Sequence, residues 1–171
     1  MIEGFAFWGP DSYLDPADWE LQMDRALALA RSSRIAICQS YPAAGSARER
    51  MFATASYLLV KGSATYLNLL SSDAVALEYY PEYELDLGGA IGAFPSGIAA
   101  LWNAGWGVYR RDYSNGVAVV NPTGAAVSIP DLGATWWRAV PSGGGVVNFG
   151  RQDFLTLPQT RRFLARLNLT F

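Results

Sequence analysis

The sequence lacks histidine altogether and contains a single cysteine, Cys38. The absence of histidine excludes, within this chain, the Ser-His-Asp and Cys-His catalytic triads, a histidine general base and histidine metal ligands. One cysteine cannot form an internal disulfide or a cluster of thiolate ligands. Cys38 lies in an apolar segment, which indicates a buried structural thiol rather than a nucleophile.

Charged residues are also scarce. They make up 16% of the chain, Lys61 is the only lysine, and the net charge of −2 is not concentrated in blocks of either sign. Because nucleic-acid binding requires a basic patch or stripe, we predict no nucleic-acid partner. The sequence has no metal-ligand spacing and no glycine-rich phosphate loop, so it predicts neither a metal nor a cofactor.

Long apolar runs are absent as well. No run reaches the ~18 residues of a membrane span, and no basic region precedes the apolar N-terminal stretch as in a signal peptide. We therefore expect a soluble protein of unassigned localisation, with an extracellular location open for a longer form. Hydrophobic residues nevertheless make up 51% of the 171 residues, which is rich for a self-contained domain. This composition suits a chain that buries surface against a partner or an absent segment.

The first part of the chain alternates between strand and helix patterns. The predicted strands cover residues 2–8, 34–40 and 64–70. Asp15 is a good N-cap for the first helix, and Pro16 suits its first position. Ser46 and Glu49 form a capping-box pattern that opens the second helix. Short strands at this βαβα spacing predict a parallel sheet, open or closed.

From residue 105 the pattern changes to short strands separated by turns. The Asn115-Gly116 dipeptide is the strongest hairpin signal in the chain. The predicted strands cover residues 108–113, 117–121, 125–129, 134–140, 146–149, 153–157 and, by alternation of apolar and polar residues, 163–171. Their number and spacing predict a small antiparallel β-sandwich. We therefore predict two domains, residues 1–104 and residues 105–171.

Three stretches carry a resemblance to a known family. Residues 1–5, 79–88 and 108–122 read MIEGF, YYPEYELDLG and VYRRDYSNGVAVVNP, and the last contains the pattern R-R-D-Y-x-N-G-x-x-x-x-N-P. Together they resemble the C-terminal portion of TIM-barrel glycoside hydrolase-like proteins, a hypothetical glycoside hydrolase-like family. In such proteins a small β-sandwich follows the barrel. The resemblance implies an α/β part followed by an all-β part: about three βα units of a partial (β/α) barrel, without its first strands, and then the sandwich.

The resemblance places Glu3 at the sugar-binding face as acid/base or nucleophile. Glycoside hydrolysis usually uses two carboxylates, and in a barrel they lie at the C-terminal ends of strands. Glu3 lies in the first predicted strand and is followed by Gly4. Its partner carboxylate would come from strands outside this chain. The alternative interpretation is that Glu3 is an ordinary polar residue near a chain terminus.

Five further residues are candidate sugar contacts. Trp8 and Tyr13 lie in or beside the first loop, where aromatic rings could stack on a sugar, although large aromatics more often pack in cores or interfaces. Gln39 and Tyr41 lie at the end of the second predicted strand, and Asn68 lies in the third. Their polar groups could bind sugar hydroxyls. For Asn68 the alternative is an interior amide that hydrogen-bonds within the protein.

An acidic and aromatic segment, residues 78–86, could border the site or dock the barrel against the sandwich, and we favour docking. Alternation in the following strand places Arg110 and Asp112 on one face. We expect this pair to meet the acidic segment across the domain interface.

These observations support two functions of different classes. The first is a carbohydrate-active protein that hydrolyses a glycosidic bond of a polysaccharide or oligosaccharide by acid/base catalysis, completed by a second protein chain or a second copy. The second is a non-catalytic structural or interaction subunit that retains the fold without activity. A third possibility is that the sequence is a fragment of a longer gene product.

Overall fold

The computed structural model describes residues 1–71, 78–130, 132, 136–146 and 162–165, and at residues 137, 146 and 162–165 it describes the backbone alone. The described strands are, in chain order, β1 (Ile2–Glu3), β2 (Phe7–Gly9), β3 (Ser12–Tyr13), β4 (Ala36–Ser40), β5 (Thr65–Leu69), β6 (Glu78–Tyr79), β7 (Trp102–Asn103), β8 (Val108–Tyr113), β9 (Gly116–Val120), β10 (Trp136–Arg138), β11 (Gly145–Val146) and β12 (Arg162–Ala165). The described helices are α1 (Pro16–Arg31), α2 (Ala47–Val60) and two short 3₁₀ helices, Pro81–Glu84 and Ile98–Leu101.

The first part of the chain forms a parallel three-stranded sheet in the order β1-β4-β5. Glu3 pairs in register with Gln39, and Gln39 pairs with Asn68. Because the strands are parallel, their C-terminal ends lie at one edge of the sheet. The residues that follow each strand therefore meet there.

The first strand is shorter than the predicted span of residues 2–8. Regular strand geometry ends at Glu3 because Gly4 and Ala6 adopt positive φ angles of 62° and 69°, although the Phe5 N–H still donates to the Gln39 carbonyl of β4 at 2.8 Å. Phe7–Gly9 then pairs with Ser12–Tyr13 in a separate hairpin. Phe5 is fully buried between these turns. The apolar run that suggested one continuous strand is thus a strand followed by a buried turn.

Helix α1 begins as predicted. The Asp15 carboxylate accepts hydrogen bonds from the backbone N–H groups of Ala17 and Asp18, each at 3.0 Å, and Pro16 occupies the first turn. The buried side of α1 carries Trp19, Met23, Ala26 and Leu27. Among the described residues, no helix has both the length and the apolar character needed to cross a membrane.

The second part of the chain forms a five-stranded sheet in the order β10-β12-β9-β8-β7. The β8–β9 pair is the predicted hairpin. The sheet is mixed rather than purely antiparallel, because β12 runs parallel to both of its neighbours. Residues 125–129, predicted as a strand, have no strand structure, although Val127 and Ile129 pack against the outer face of the sheet. The predicted strand at 153–157 lies outside the described residues, as does most of that at 163–171.

Buried side chains from both sides of the predicted domain boundary join one hydrophobic cluster. The rings of Trp19 on α1 and Tyr109 on β8 lie 5.0 Å apart, and the Tyr109 hydroxyl donates to Glu20 at 2.5 Å. Helix α2 packs against β8 and β9, on the side of the five-stranded sheet that Tyr109 also faces. The five-stranded sheet therefore supports the helices that cover the parallel sheet.

Candidate functional site

Four of the predicted site residues form a hydrogen-bonded row across the C-terminal edge of the parallel sheet. The Tyr41 hydroxyl donates to Oε1 of Glu3 at 2.7 Å and accepts from Nε2 of Gln39. Asn68 Nδ2 donates in turn to Oε1 of Gln39 at 3.1 Å. We call Glu3, Tyr41, Gln39 and Asn68 the polar row. The structure thus brings together side chains from all three strands of this sheet.

The carboxylate of Glu3 dominates the electrostatics of the polar row. Its hydrogen bond with Tyr41 raises the pKa of the Tyr41 hydroxyl, because loss of that proton would leave two negative charges in contact. Tyr41 therefore stays protonated and donates at neutral pH. Glu3 is exposed, and its Oε2 has no hydrogen-bond donor among the described residues. This oxygen is accessible to a ligand.

The polar row belongs to a sheet face that nothing covers within the described part of the chain. By strand alternation Ile37 and Tyr66 lie on the same face as Gln39 and Asn68. They are 39% and 55% exposed, whereas Cys38, on the opposite face, is buried against the helices. The open face is therefore apolar in its middle and polar at its C-terminal edge.

Trp8 lies beside the polar row with its indole exposed. A Cβ atom placed on Gly4 would lie 2.8 Å from Cε3 of Trp8, so the indole packs directly against the backbone next to Glu3. The side chain is 63% exposed. An exposed indole next to a carboxylate is a suitable platform for an apolar ring face.

Tyr13 is not part of this arrangement. Its ring packs against Phe7 and Phe52, with centroid distances of 5.8 and 5.3 Å, and the Arg48 guanidinium lies 5.7 Å from its centroid. Burial raises the pKa of the Tyr13 hydroxyl. Its position supports the loop after β1 from within the protein.

Sequence reasoning missed the residues that hold this loop. Gln22 on α1 accepts from the backbone N–H of Ala6 at 2.7 Å and donates to the carbonyl of Gly4 at 3.0 Å. Ser40, a polar strand-end residue that could have been a sugar ligand or a turn residue, is instead fully buried and donates to the carbonyl of Phe5 at 2.5 Å. The sequence did contain a sign of this contact. Gln22 is a polar residue that stands between the buried Trp19 and Met23 on α1, close to the side of the helix that faces the protein interior.

Glu49 was predicted as half of a capping box, but it has another role. Ser46 Oγ accepts from the Glu49 N–H at 3.4 Å, as that motif requires. The Glu49 carboxylate does not reach back to Ser46; it accepts from the backbone N–H groups of Asp11 at 2.7 Å and Ala43 at 2.5 Å. It therefore ties the turn between β2 and β3 to the loop after β4, which follows Tyr41.

The acidic and aromatic segment contains a second carboxylate close to the same edge of the sheet. Glu78 accepts from Ser71 N–H at 2.8 Å, from Ser71 Oγ at 2.6 Å and from the Tyr80 hydroxyl at 2.5 Å. Burial acts to raise the pKa of Glu78, but these hydrogen bonds and the charge of Arg50 outweigh it and lower the pKa below its usual range. Glu78 is therefore ionised at neutral pH.

Glu78 lines a cleft of about 530 Å³ beyond the ends of β4 and β5. Its walls are Gly45 and Ala47 at the start of α2, Ser71 after β5, and residues 141–145. The cleft presents Arg50 and Glu78, both of which are already hydrogen-bonded to protein groups. Among the described residues no group of three or more metal-binding side chains is present.

The family model described as hypothetical glycosyl hydrolase family 15 matches residues 1–117, which are 117 of the 171 residues. The chain belongs to this family. Neither a curated protein nor a solved structure matches the chain. The glycoside hydrolase-like resemblance predicted from the sequence is thereby confirmed at the level of the family.

The part of the chain that matches hypothetical glycosyl hydrolase family 15 includes the entire polar row and most of the R-R-D-Y stretch. In that stretch Arg110 does not meet the acidic segment, so our prediction of an interdomain pair is wrong. Arg110 and Asp112 instead form an ion pair with each other at 2.7 Å, and the Arg110 guanidinium lies 4.4 Å from the Trp106 ring centroid. Two polar residues adjacent along a strand face satisfy each other locally.

The neighbouring residue, Arg111, makes a further contact between the two parts of the chain. Its Nη1 donates to the backbone carbonyls of Leu58, Leu59 and Lys61 at 3.2, 2.9 and 2.8 Å, at the C-terminus of α2. The Tyr113 hydroxyl donates to Leu58 as well, at 2.5 Å. The partner of the acidic segment is Arg50 on α2, which bonds Glu82 at 2.7 Å.

Proposed function

We propose that this chain contributes part of the sugar site of a carbohydrate-active protein of glycoside hydrolase lineage, which hydrolyses a glycosidic bond by acid/base catalysis. The observation that carries the proposal is the polar row. Glu3 is an exposed carboxylate at the C-terminal edge of a parallel sheet, hydrogen-bonded through Tyr41 to Gln39, in a member of a hypothetical glycosyl hydrolase family. Catalytic groups of (β/α) barrels lie at this edge.

We further propose that the sheet β1-β4-β5 is part of such a barrel and that its open face is the barrel interior. The parallel strand order, the helices on the opposite face and the change from Ile37 and Tyr66 to the polar row support this. Both β1 and β5 are edge strands, and exposed edges of this kind favour association with further strands. A second protein chain or a second copy would supply them.

In this proposal Glu3 acts as acid/base or nucleophile, and Tyr41 orients its carboxylate through Oε1. Gln39 and Asn68 bind sugar hydroxyls through the amide donors and acceptors that are not used within the polar row, and Trp8 stacks on a sugar ring. Tyr13 is not among the proposed contacts because its ring is packed against Phe52. The second carboxylate would lie roughly 5–10 Å from Glu3 on the added strands.

The alternative proposal is a structural or interaction subunit without activity. It is favoured by two other carboxylates, Glu49 on α2 and Glu78 on β6, because both oxygens of each accept hydrogen bonds from protein groups. No carboxylate of the described residues is hydrogen-bonded to the polar row besides Glu3. In this alternative the open face serves only for assembly.

Glu3→Gln tests the catalytic proposal. We expect hydrolysis by the native particle, assayed with a panel of nitrophenyl glycosides and polysaccharides, to fall at least about 100-fold, the usual loss for an acid/base group. The matched control is Glu84→Gln, the same change at another exposed carboxylate that accepts from a tyrosine hydroxyl, that of Tyr79. It should leave the rate unchanged.

Intact mass spectrometry and light scattering of that particle separate the two proposals. A particle with a second chain, or with several copies, and with activity that depends on Glu3 would support the hydrolase. An assembled particle that binds polysaccharide but shows no hydrolysis would support the structural alternative. Equal rates for Glu3→Gln and Glu84→Gln would remove Glu3 from the chemistry.

A further inference from the structure

The turn that follows β1 is held by one side chain of helix α1. The amide of Gln22 contacts this turn at two points: Oε1 accepts from the backbone N–H of Ala6 at 2.7 Å, and Nε2 donates to the carbonyl of Gly4 at 3.0 Å. Both polar atoms of the amide are therefore used on one segment of three residues. We call this pair of hydrogen bonds the Gln22 clamp.

The residue between the two clamped positions is bound to the sheet instead. The N–H of Phe5 donates to the carbonyl of Gln39 at 2.8 Å, and its carbonyl accepts from Oγ of Ser40 at 2.5 Å. Phe5 is also fully buried. Residues 4–6 are thus fixed to α1 and to β4 at once, directly after Glu3.

The clamp holds a strained residue. Ala6 has a φ angle of 69°, in the left-handed region that a residue with a Cβ atom rarely adopts, and it is fully buried. Strained backbone of this kind persists only where the surroundings impose it, and it is concentrated at binding and catalytic sites. Because Ala6 is itself buried, its conformation acts through its neighbours along the chain.

The turn brings Trp8 back over the residue that follows Glu3. A Cβ atom on Gly4 would lie 2.8 Å from Cε3 and 3.2 Å from Cζ3 of Trp8, so the indole lies directly against the Gly4 backbone. The Trp8 side chain nevertheless remains 63% exposed. The turn therefore sets the spacing between an exposed indole and an exposed carboxylate. The carbonyl that Gln22 binds belongs to the residue between them.

We infer that Gln22 is a positioning residue of the sugar site, which fixes the Trp8 indole relative to the Glu3 carboxylate through the backbone of Gly4 and Ala6. This role rests on the proposed function, because it assigns Gln22 to the site that Glu3 and Trp8 form. Its physical basis is preorganisation: a site works best when its contact groups are already held in the productive geometry before the ligand arrives.

Gln22→Met tests the inference, because methionine has a similar length but forms neither hydrogen bond of the clamp. The first readout is the NMR signal of the Gly4 Hα atoms in glycine-labelled protein, which the ring current of the Trp8 indole displaces. We expect this displacement to be lost. The second readout is the pKa of the Tyr41 hydroxyl, which its hydrogen bond with Glu3 raises and which should fall toward about 10 in the variant.

The third readout is hydrolysis by the native particle. A displacement of about 1 Å can cost about 100-fold in rate, so kcat/KM of Gln22→Met should fall about tenfold to 100-fold. If the unmodified particle hydrolyses no substrate, the proposed function fails. The two NMR readouts then still decide whether Gln22 positions Trp8 and Glu3.

Two further variants separate positioning from stability. Asp15→Ala removes the N-cap of the same helix, lowers the urea midpoint and leaves the clamp in place. It should change neither NMR readout. Adding Ala6→Gly to Gln22→Met should recover part of the Gly4 displacement, because glycine adopts a φ of 69° without strain. The same addition provides a less strained form if Gln22→Met folds poorly.

Three results would overturn the inference. The first is a Gln22→Met variant with unchanged Gly4 signals and an unchanged Tyr41 pKa. The second is an equal change of these readouts in Asp15→Ala at the same loss of urea midpoint, which would leave Gln22 with a stabilising role alone. The third is the absence of any recovery on adding Ala6→Gly, since the clamp would then not act through Ala6.

Discussion

Arg50→Met is expected to lower the free energy of unfolding by about 3–5 kcal/mol, the usual result of removing one partner from a buried ion pair. The Arg50 and Glu82 side chains are 4% and 0% exposed, and the pair closes at 2.7 Å. Methionine is of similar length and fills much of the space, so the loss comes mainly from the carboxylate of Glu82, which stays buried without its counter-ion. The Arg50 guanidinium also lies over the Tyr80 ring, 4.6 Å from its centroid, and this contact is lost as well.

The chain offers a matched control for this substitution. Arg110→Met breaks an ion pair with the same 2.7 Å separation, but its side chains, Arg110 and Asp112, are 29% and 46% exposed. Exposed pairs contribute about 0–1 kcal/mol, so this variant should lose about 1 kcal/mol or less. Urea unfolding followed by circular dichroism measures both values.

Removing both charges should recover part of the loss. In the double variant Arg50→Met with Glu82→Leu no unpaired buried charge remains, and well-packed apolar replacements of buried pairs are often close to neutral. The double variant should therefore be more stable than Arg50→Met alone. If Arg50→Met and Arg110→Met lose equal free energy, burial does not set the strength of the Arg50–Glu82 pair.

Most of the polar row could be predicted from the sequence because the positions of its residues depend on the local strand pattern. A residue at the end of a strand in a parallel sheet must lie at the same edge as its counterparts in neighbouring strands. Gln39, Tyr41 and Asn68 follow from their positions in or directly after predicted strands, without knowledge of any distant contact. Glu3 was placed at this edge by the family resemblance, because it stands at the start of the predicted strand of residues 2–8. The mutual hydrogen bonds of the row are then a consequence of the register Glu3–Gln39–Asn68.

The contacts between distant segments could not be predicted in this way. Arg50 meets Glu82 and Arg111 meets the end of α2 only because helix α2 lies between the acidic segment and the five-stranded sheet. Alternation places Arg110 and Arg111 on opposite faces but does not say which face meets the helix. Positive φ at Ala6 likewise depends on Gln22 from α1, which no local pattern near the strand reveals.

Arg111 closes the C-terminus of α2, and this role leads to the second large prediction. The last carbonyls of a helix have no partner within the helix and carry partial negative charge. The Arg111 guanidinium serves three of them, including Leu59 at 2.9 Å and Lys61 at 2.8 Å. Burial lowers the pKa of Arg111, and no ion pair to a carboxylate is found for it within the described residues. The helix end is therefore its counter-charge.

Arg111→Met should lower the free energy of unfolding by about 3 kcal/mol or more, because each buried carbonyl left unpaired costs about 1–3 kcal/mol. Tyr113→Phe is the control at the same helix end. It removes one hydrogen bond to Leu58 and should cost about 1 kcal/mol.

Hydrogen exchange supplies a local readout, since Arg111→Met should speed exchange of amides in the last turn of α2 more than in the first. Uniform acceleration along α2, or a loss no larger than that of Tyr113→Phe, would show that Arg111 contributes packing rather than a cap. The cap matters for the site because α2 also carries Glu49, which holds the β2–β3 turn and the loop that follows Tyr41.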